Sequence, residues 1–275
     1  MKDPHLLLIR FSALGDVAMT VPVIRCLYKT YPGLKITFVS RPYFSPLFQE
    51  FKNFNFYPTD FNGRHNGIKG LWTLFKELKT TTFSGVADLH CVLRTHPLYL
   101  FFLLFGYKVK SIHKGRLEKK ALTRPKNKKF QPLTPTIYRY ADVFRKLGFP
   151  LSFDQHDFPE KIDLPKSLLP LYQRSEKKWI GIAPYAAHSG KSYPLDLMQQ
   201  VINFLQKDHQ IFLFGAGEKE KERLDVWEKA YINVYSIVGK ISLKEQLDLM
   251  AHLDLMISMD SANAHMVANT GVRVL

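Results

Sequence analysis

Short apolar runs alternate with amphipathic stretches along most of the 275 residues. This rhythm predicts βαβ units and a mostly parallel sheet, since strands covered on both faces read as continuous hydrophobic runs. In the first half, "LLLIR" (6–10), "KITFVS" (35–40) and "GVADLH" (85–90) predict strands. A helix is expected over Val17–Tyr31, kinked by Pro22, which lies too deep for a first-turn proline. "TPTIYRYADVFRKLG" (134–148) predicts a helix with Thr134 as its cap, Pro135 in the first turn and Gly148 as its stop.

From about residue 149 the pattern lapses into a proline-rich stretch with little periodicity, and a connector is expected over 156–177. It separates an N-terminal domain, 1–155, from a C-terminal one, 178–275. The alternation then resumes. "WIGIAP" (179–184), "QIFLFG" (210–215), "NVYSI" (233–237) and "LDLMIS" (253–258) predict strands. Helices are expected near 194–207, 218–230 and 242–251, the last opened by a Ser242-x-x-Glu245 capping box. "GVRVL" (271–275) has the pattern of a strand start, so the second domain is expected to be truncated.

In open α/β sheets ligands gather at the carboxyl ends of strands, and four segments fall there. In "RFSALGDV" (10–17), Ser12, Ala13 and Gly15 allow a tight turn and Asp16 falls at or near a helix N-cap. Capping alone explains such an aspartate. The alternative is a general base at a cleft edge, with Arg10 keeping it ionised and aligned. In "MDSANAHMVANTG" (259–271), Ser261, Ala262, Asn263 and Ala264 form a small-residue helix start suited to an anion, with His265 close by. "APYAAHSGKSYP" (183–194) brings Lys191 to a strand end as a point charge for a diphosphate; Tyr185 stands where a phosphate-binding P-loop needs glycine. "FGAGEKEKE" (214–222) fails the dinucleotide fingerprint, because Glu220 occupies the third glycine position. Its acids suit ribose hydroxyls or the positive end of a helix equally. In "ADLHCVLRTHP" (87–97), Asp88 and His90 are expected on one strand face. No zinc spacing is present and no metal is expected; His90 and Arg94 suit an anionic acceptor.

Charge sharpens this picture. Lys and Arg number 39 against 24 Asp and Glu, a formal charge of +15. The surplus concentrates in 107–130, with ten basic residues and one acid, Glu118. Either a solvated loop or a seat for phosphates or an anionic membrane face accounts for it. Two cysteines, Cys26 and Cys91, form no paired motif, which points to a reducing compartment. The initial apolar run is too short for a signal peptide. "PLYLFFLLFGY" (97–107) is about half the length of a membrane span, so a buried or membrane-dipping helix is expected.

Together, "LLLIRFSALGDVAMTVPVI", "GKSYP", "FLFGAGEKEKE" and "DLMISMDSANAHMVANTGV" resemble glycosyltransferase family 9, the lipopolysaccharide heptosyltransferases and their relatives. The resemblance runs from residue 6 to 275 with the motifs in order. It implies two Rossmann-like domains facing across a cleft, the GT-B arrangement. The first would bind a glycolipid acceptor through Arg10, Ser12, Gly15, His90 and Arg94, and the second a nucleotide-diphosphate sugar. Inversion without a metal or cofactor is implied, with Asp16 as base and ADP-heptose as the family's usual donor. On the donor side it implies Lys191 on the phosphates, with Tyr185 nearby, and Glu220 or Glu218 on the ribose. Asp260, Ser261, Ala262, Asn263 and His265 would lie on the diphosphate. Ala262 replaces the family's usual glycine, Ser261 its frequent threonine, and family members continue beyond this endpoint. A cytoplasmic monomer, peripheral to the inner membrane through 107–130, is the expectation. An NAD-type oxidoreductase is disfavoured by the missing fingerprint. A nucleic-acid-binding or anionic-surface-binding protein fits the charge but not the motifs, and no nucleic acid partner is expected.

Overall fold

The computed structural model describes residues 3–161, 163–166, 168 and 177–275. Contacts divide the chain into two units, Met1–Asp157 and Phe158–Leu275. Of the expected connector over 156–177, residues 162, 167 and 169–176 lie outside the described residues. Its first two positions belong to the first unit: Lys29 pairs with Asp157, and Arg25 Nη1 lies 3.3 Å from His156 Nε2.

The first unit is a five-stranded, all-parallel sheet: β1 (His5–Ile9), β2 (Lys35–Ser40), β3 (Phe54–Pro58), β4 (Gly85–Asp88) and β5 (Val109–Ser111), in spatial order β3-β2-β1-β4-β5. Side chains on a strand alternate between faces, and both faces of β1 are covered, so Leu6, Leu7 and Leu8 are all fully buried. On one face, Leu7, Ile9 and Val86 pack with Leu71, Leu74 and Phe75 of α3 (Gly67–Leu78) and with Leu98 and Phe102 of α4 (Thr95–Leu104).

The single helix expected over 17–31 is two: α1 (Leu14–Ala18) and α2 (Thr20–Thr30), broken at Met19. The cause is Pro22. Its ring excludes a helical carbonyl four residues back, at Ala18, and it donates no hydrogen bond there, so the break falls before the proline rather than at it. The basic segment 107–130 is not simply a loop, since it carries β5 and α5 (Arg116–Thr123). The helix expected from 134 is α6 (Thr136–Leu147), with Pro135 as N-cap rather than Thr134. It ends at Gly148, whose φ of 100° suits glycine's freedom at a helix stop. Strand β3 and helix α3 were not marked by the apolar pattern.

The second unit has four parallel strands, β6 (Trp179–Ala183), β7 (Gln210–Leu213), β8 (Val234–Ser236) and β9 (Leu255–Ser258), in order β8-β7-β6-β9. Helices α7 (Leu195–Leu205), α8 (Glu218–Ala230), α9 (Leu243–Met250) and α10 (Ala262–Ala268) separate or follow them. Ser242 and Glu245 close the capping box of α9 as expected: Glu245 N donates to Ser242 Oγ at 3.3 Å, and Ser242 N to Glu245 Oε2 at 2.8 Å. The segment ending at Leu275 lies alongside β9, with Val274 bridged in parallel to Met256.

Gly70 fixes α3 against the preceding loop. A Cβ at this position would lie 2.2 Å from the His65 carbonyl carbon and 2.7 Å from its Cα, both backbone atoms. Gly70→Ala therefore has to move either helix or loop, and a loss of about 1–3 kcal/mol is expected, measured by urea denaturation.

Candidate functional site

In each sheet the strand order reverses once. The chain moves outward from β1 through β2 to β3 and then returns to add β4 on the other side; in the second unit β6, β7 and β8 run one way and β9 is added on the other. At such a reversal the loops leaving the two central strands part, and a crevice opens at their carboxyl ends. The chemistry-bearing residues collect at these two places.

In the first unit the crevice lies between the loops after β1 and β4. Arg10 is buried beneath it: Nη1 donates to Leu89 O at 2.6 Å, Nη2 pairs with Asp16 Oδ2, and the guanidinium carbon lies 5.9 Å from the Tyr140 ring centroid. Asp16 is not the N-cap. Ala13 holds that place and Asp16 is the third helical residue, with Oδ2 accepting from Ala13 N at 3.4 Å. Its side chain is 38% exposed against 7% for Arg10, so a half-open carboxylate sits on a buried cation. Both contacts fall on Oδ2, which leaves Oδ1 outside the pair. Gly15 lies in the same first turn, its carbonyl accepting from Met19 N at 2.9 Å, and the Ser12–Ala13 peptide bond is cis.

The loop after β4 is built by Asp88. Strand β4 ends there, so Asp88 and His90 do not share a strand face as the sequence suggests. The Asp88 carboxylate accepts from His90 N and Cys91 N, each at 2.9 Å, and from Thr95 Oγ1 at 2.9 Å, which folds the loop back before α4 begins. Cys91 takes φ 48° in this turn, at a cost of roughly 1–3 kcal/mol that the three hydrogen bonds offset. Asp88 thus has a structural use, and His90 is delivered to the crevice with Nε2 3.4 Å from Ser12 Oγ.

A cationic groove continues from there. One cavity of about 480 Å³ is lined by Ser12, Arg41, His90, Arg94 and Arg116 among others, and a second of about 560 Å³ shares Arg41 and Arg94 with it. Arg94 lies over the Phe61 ring, 4.6 Å from its centroid, and Phe61 packs edge-on against Phe11 at 4.7 Å. Phe61 is held by a turn in which Asp60 accepts from Gly63 N at 2.8 Å and from Asn62 N and Arg64 N at 3.2 Å. Those backbone donors lower the Asp60 pKa. Arg41 and Arg116 were not singled out by sequence reasoning. Arg41 carried a usable signal, because it directly follows the strand "KITFVS" and so stands at a carboxyl end; Arg116 was hidden within a run of like charges.

In the second unit the crevice lies between the loops after β6 and β9. There Lys191, at the end of a 3₁₀ turn (Ser189–Lys191), pairs with Asp260 at 2.5 Å, joining residues 69 positions apart. His265 Nε2 is 3.9 Å from the other Asp260 oxygen. The Asp260 pKa is lowered, first by the Lys191 hydrogen bond. Ser261 is the N-cap of α10 rather than its first turn, with Oγ 3.3 Å from Ser258 Oγ. Ala262 opens the helix in ordinary helical backbone that imposes no need for glycine. Asn263 follows it, and His265 is the fourth helical residue.

Glu218 and Glu220 separate in role. Glu220 Oε2 accepts from Ala216 N at 2.8 Å, satisfying a free donor at the start of α8, whereas Glu218 is the exposed first residue of that helix. Tyr185 packs against the core of this unit, and its pKa is raised by burial first and by Glu220 second. Among the described residues no three His, Cys, Asp or Glu side chains converge as a metal site requires.

Two parallel α/β units, each with a polar crevice at the reversal of its sheet, define a Rossmann-like class of protein. The model of glycosyltransferase family 9 (heptosyltransferase) matches residues 73–275, so the chain belongs to this family and is a glycosyltransferase. The chain is 25% identical to the lipopolysaccharide core heptosyltransferase OpsX of Haemophilus influenzae, over 98% of this chain and 77% of that protein. Its fold is shared with a family 9 glycosyltransferase of Veillonella parvula (TM-score 0.75, 20% identity, 100% of this chain and 81% of that one). It is also shared with E. coli heptosyltransferase WaaC bound to ADP-2-deoxy-2-fluoro heptose (TM-score 0.71, 14% identity, 98% and 87%).

The buried His90 imidazole has its pKa pushed down from 6.5 to about 4, by burial first and then by Arg10 and Lys114. A histidine depressed in the folded state binds its proton more readily unfolded, so its contribution is lost as pH falls from 6.5 toward 4. Thermal melts across that range should show wild type losing more stability than His90→Asn, whose profile is expected to be flatter.

Proposed function

We propose that this chain transfers a heptose from ADP-heptose to a lipopolysaccharide core acceptor, with inversion and without a metal. The observation that carries the reading is the half-open Asp16 carboxylate held on buried Arg10 at the reversal of the first sheet. Family membership supports sugar transfer. The core heptosyltransferase named above supports the acceptor class, and the ADP-sugar analogue in the WaaC structure supports the donor.

In this reading Arg10 engages Asp16 through Oδ2 and leaves Oδ1 to accept a proton from the acceptor hydroxyl. The hydroxyl oxygen forms its bond to the anomeric carbon on the face opposite the diphosphate. The bond from that carbon to the diphosphate oxygen breaks with its electron pair, and ADP departs. The sugar passes through an oxocarbenium-like transition state, as glycosyl transfer generally does. Lys191 and the backbone N–H groups from Ser261 to Asn263 stabilise the charge that gathers on the leaving diphosphate. Glu218, exposed and not tied to the backbone, suits the ribose hydroxyls better than Glu220. Arg41, Arg94 and Arg116 neutralise acidic groups of the acceptor, and His90 and Ser12 border its hydroxyl. The reading requires donor and acceptor to meet at one reacting centre.

Asp16→Ala should lower turnover by roughly 10²–10⁴-fold while ADP affinity stays within about twofold, since the general base acts on the acceptor. Full activity in that variant would remove Asp16 from the mechanism. Lys191→Ala should instead weaken ADP binding by about tenfold or more in calorimetry, the loss expected for a charge-assisted hydrogen bond. Unchanged affinity would count against the lysine.

A further inference from the structure

The first unit exposes an apolar knob unrelated to either crevice. Helix α4 buries Thr95, Leu98 and Phe102 against the sheet, but Leu100, Leu103 and Leu104 face out, and Phe105 follows in the turn ended by Gly106 at φ 82°. Leu104 is 72% exposed and Phe105 51%. On the neighbouring α3, Ile68 and Trp72 stand one turn apart and are also exposed. Trp72 joins the two helices, its ring 5.0 Å from Phe101 and 5.9 Å from Phe105. Single exposed apolar residues are ordinary, whereas a contiguous set on two packed helices marks an interaction surface.

The surroundings are cationic. Lys69 and Lys76 lie exposed on α3, and Lys79 follows it with Nζ 4.7 Å from the Phe105 ring centroid. The one acid on α3, Glu77, does not neutralise them, because its carboxylate is engaged by Arg64, by Tyr57 and by His65 at 3.0 Å. No Asp or Glu occurs from Leu89 to Leu117.

We infer that this knob inserts into the interfacial layer of an anionic lipid bilayer, with Leu103, Leu104, Phe105 and Trp72 among the acyl chains and Lys69, Lys76 and Lys79 at the headgroups. A convex apolar tip with an edge tryptophan and a lysine fringe matches the chemistry of that layer. Lysines near an anionic leaflet strengthen binding through its negative surface potential. Helix α4 has ten residues, about 15 Å of length, and among the described residues no helix is long and apolar enough to cross a membrane, so the mode is interfacial. A second copy of this chain is the poorer occupant. A two-fold contact through the same patch would set these lysines against their equivalents with no acid to pair them. The assignment goes beyond the sugar-transfer reading and does not rest on it, since binding to lipid is measured without donor or acceptor.

The full chain is to be sedimented with vesicles of phosphatidylcholine alone and of phosphatidylcholine containing about one third phosphatidylglycerol, a content that sets the surface potential. Binding to the anionic vesicles is expected, with partition falling at least about tenfold in L103S/L104S and falling also in K76E/K79E. Trp179 and Trp227 are buried, so Trp72 should dominate quenching by brominated lipid, and W72F should abolish most of it. Unchanged melting temperature and ADP affinity in the variants would show that the fold and second-unit crevice are intact. The inference is overturned by equal partition onto neutral vesicles, by binding that L103S/L104S retains within about twofold, or by absence of quenching. Sedimentation equilibrium showing a dimer that L103S/L104S dissociates would likewise replace the bilayer with a second copy.

Discussion

Parallel pairing of two strands whose connections leave in opposite directions is the constraint on which both sites depend. Where β1 meets β4, and where β6 meets β9, the loops at the carboxyl ends cannot cover the same ground, and polar residues occupy the gap. The register brings together residues far apart in sequence. Arg10 follows β1 and reaches the Leu89 carbonyl after β4, and Lys191 after β6 reaches Asp260 after β9. The chemistry is therefore a property of sheet order before it is a property of any local motif.

The two crevices handle charge differently. In the first, the cation is buried and the carboxylate half open, so Arg10 is held in place by a carbonyl, a carboxylate and an aromatic face. Removing one partner of such a buried group leaves the other without compensation, which is usually worse than removing both. In the second, both partners of the ion pair are exposed, and an exposed pair contributes little stability. One arrangement fixes geometry; the other leaves its charges open to exchange.

Much of this was legible in the sequence because parallel strands covered on both faces leave unbroken apolar runs. "KITFVS" is a strand over its whole length, and residues 218–230 form a helix with the expected ends. Strand β3 escaped because "FNFYP" lies at the sheet edge, where Asn55 is exposed and the run is interrupted. The break before α2 was displaced because a proline acts on the turn preceding it. Asp16, Lys191 and Asp260 could be picked out as strand-end residues, yet their partners could not be assigned, since ion pairing depends on register and rotamer. Arg41 could be read as a strand-end residue in the same way, but its place in the groove depends on β2 pairing with β1. Asp88 was expected to share a strand face with His90, whereas β4 ends at Asp88 and its Oδ1 accepts from the backbone N–H groups two and three residues on, with Oδ2 taken by the Thr95 hydroxyl.

The contact between Lys191 and Asp260 leaves the second crevice with an ammonium whose charge is already matched. An anion arriving at Lys191 meets an ammonium already neutralised, and has to displace a carboxylate that then needs other company. A singly charged anion trades one charge for one and gains little, while an anion of higher charge outcompetes the aspartate at the same distance. The exchange thus turns on how much charge the incoming anion carries beyond that of the aspartate it replaces.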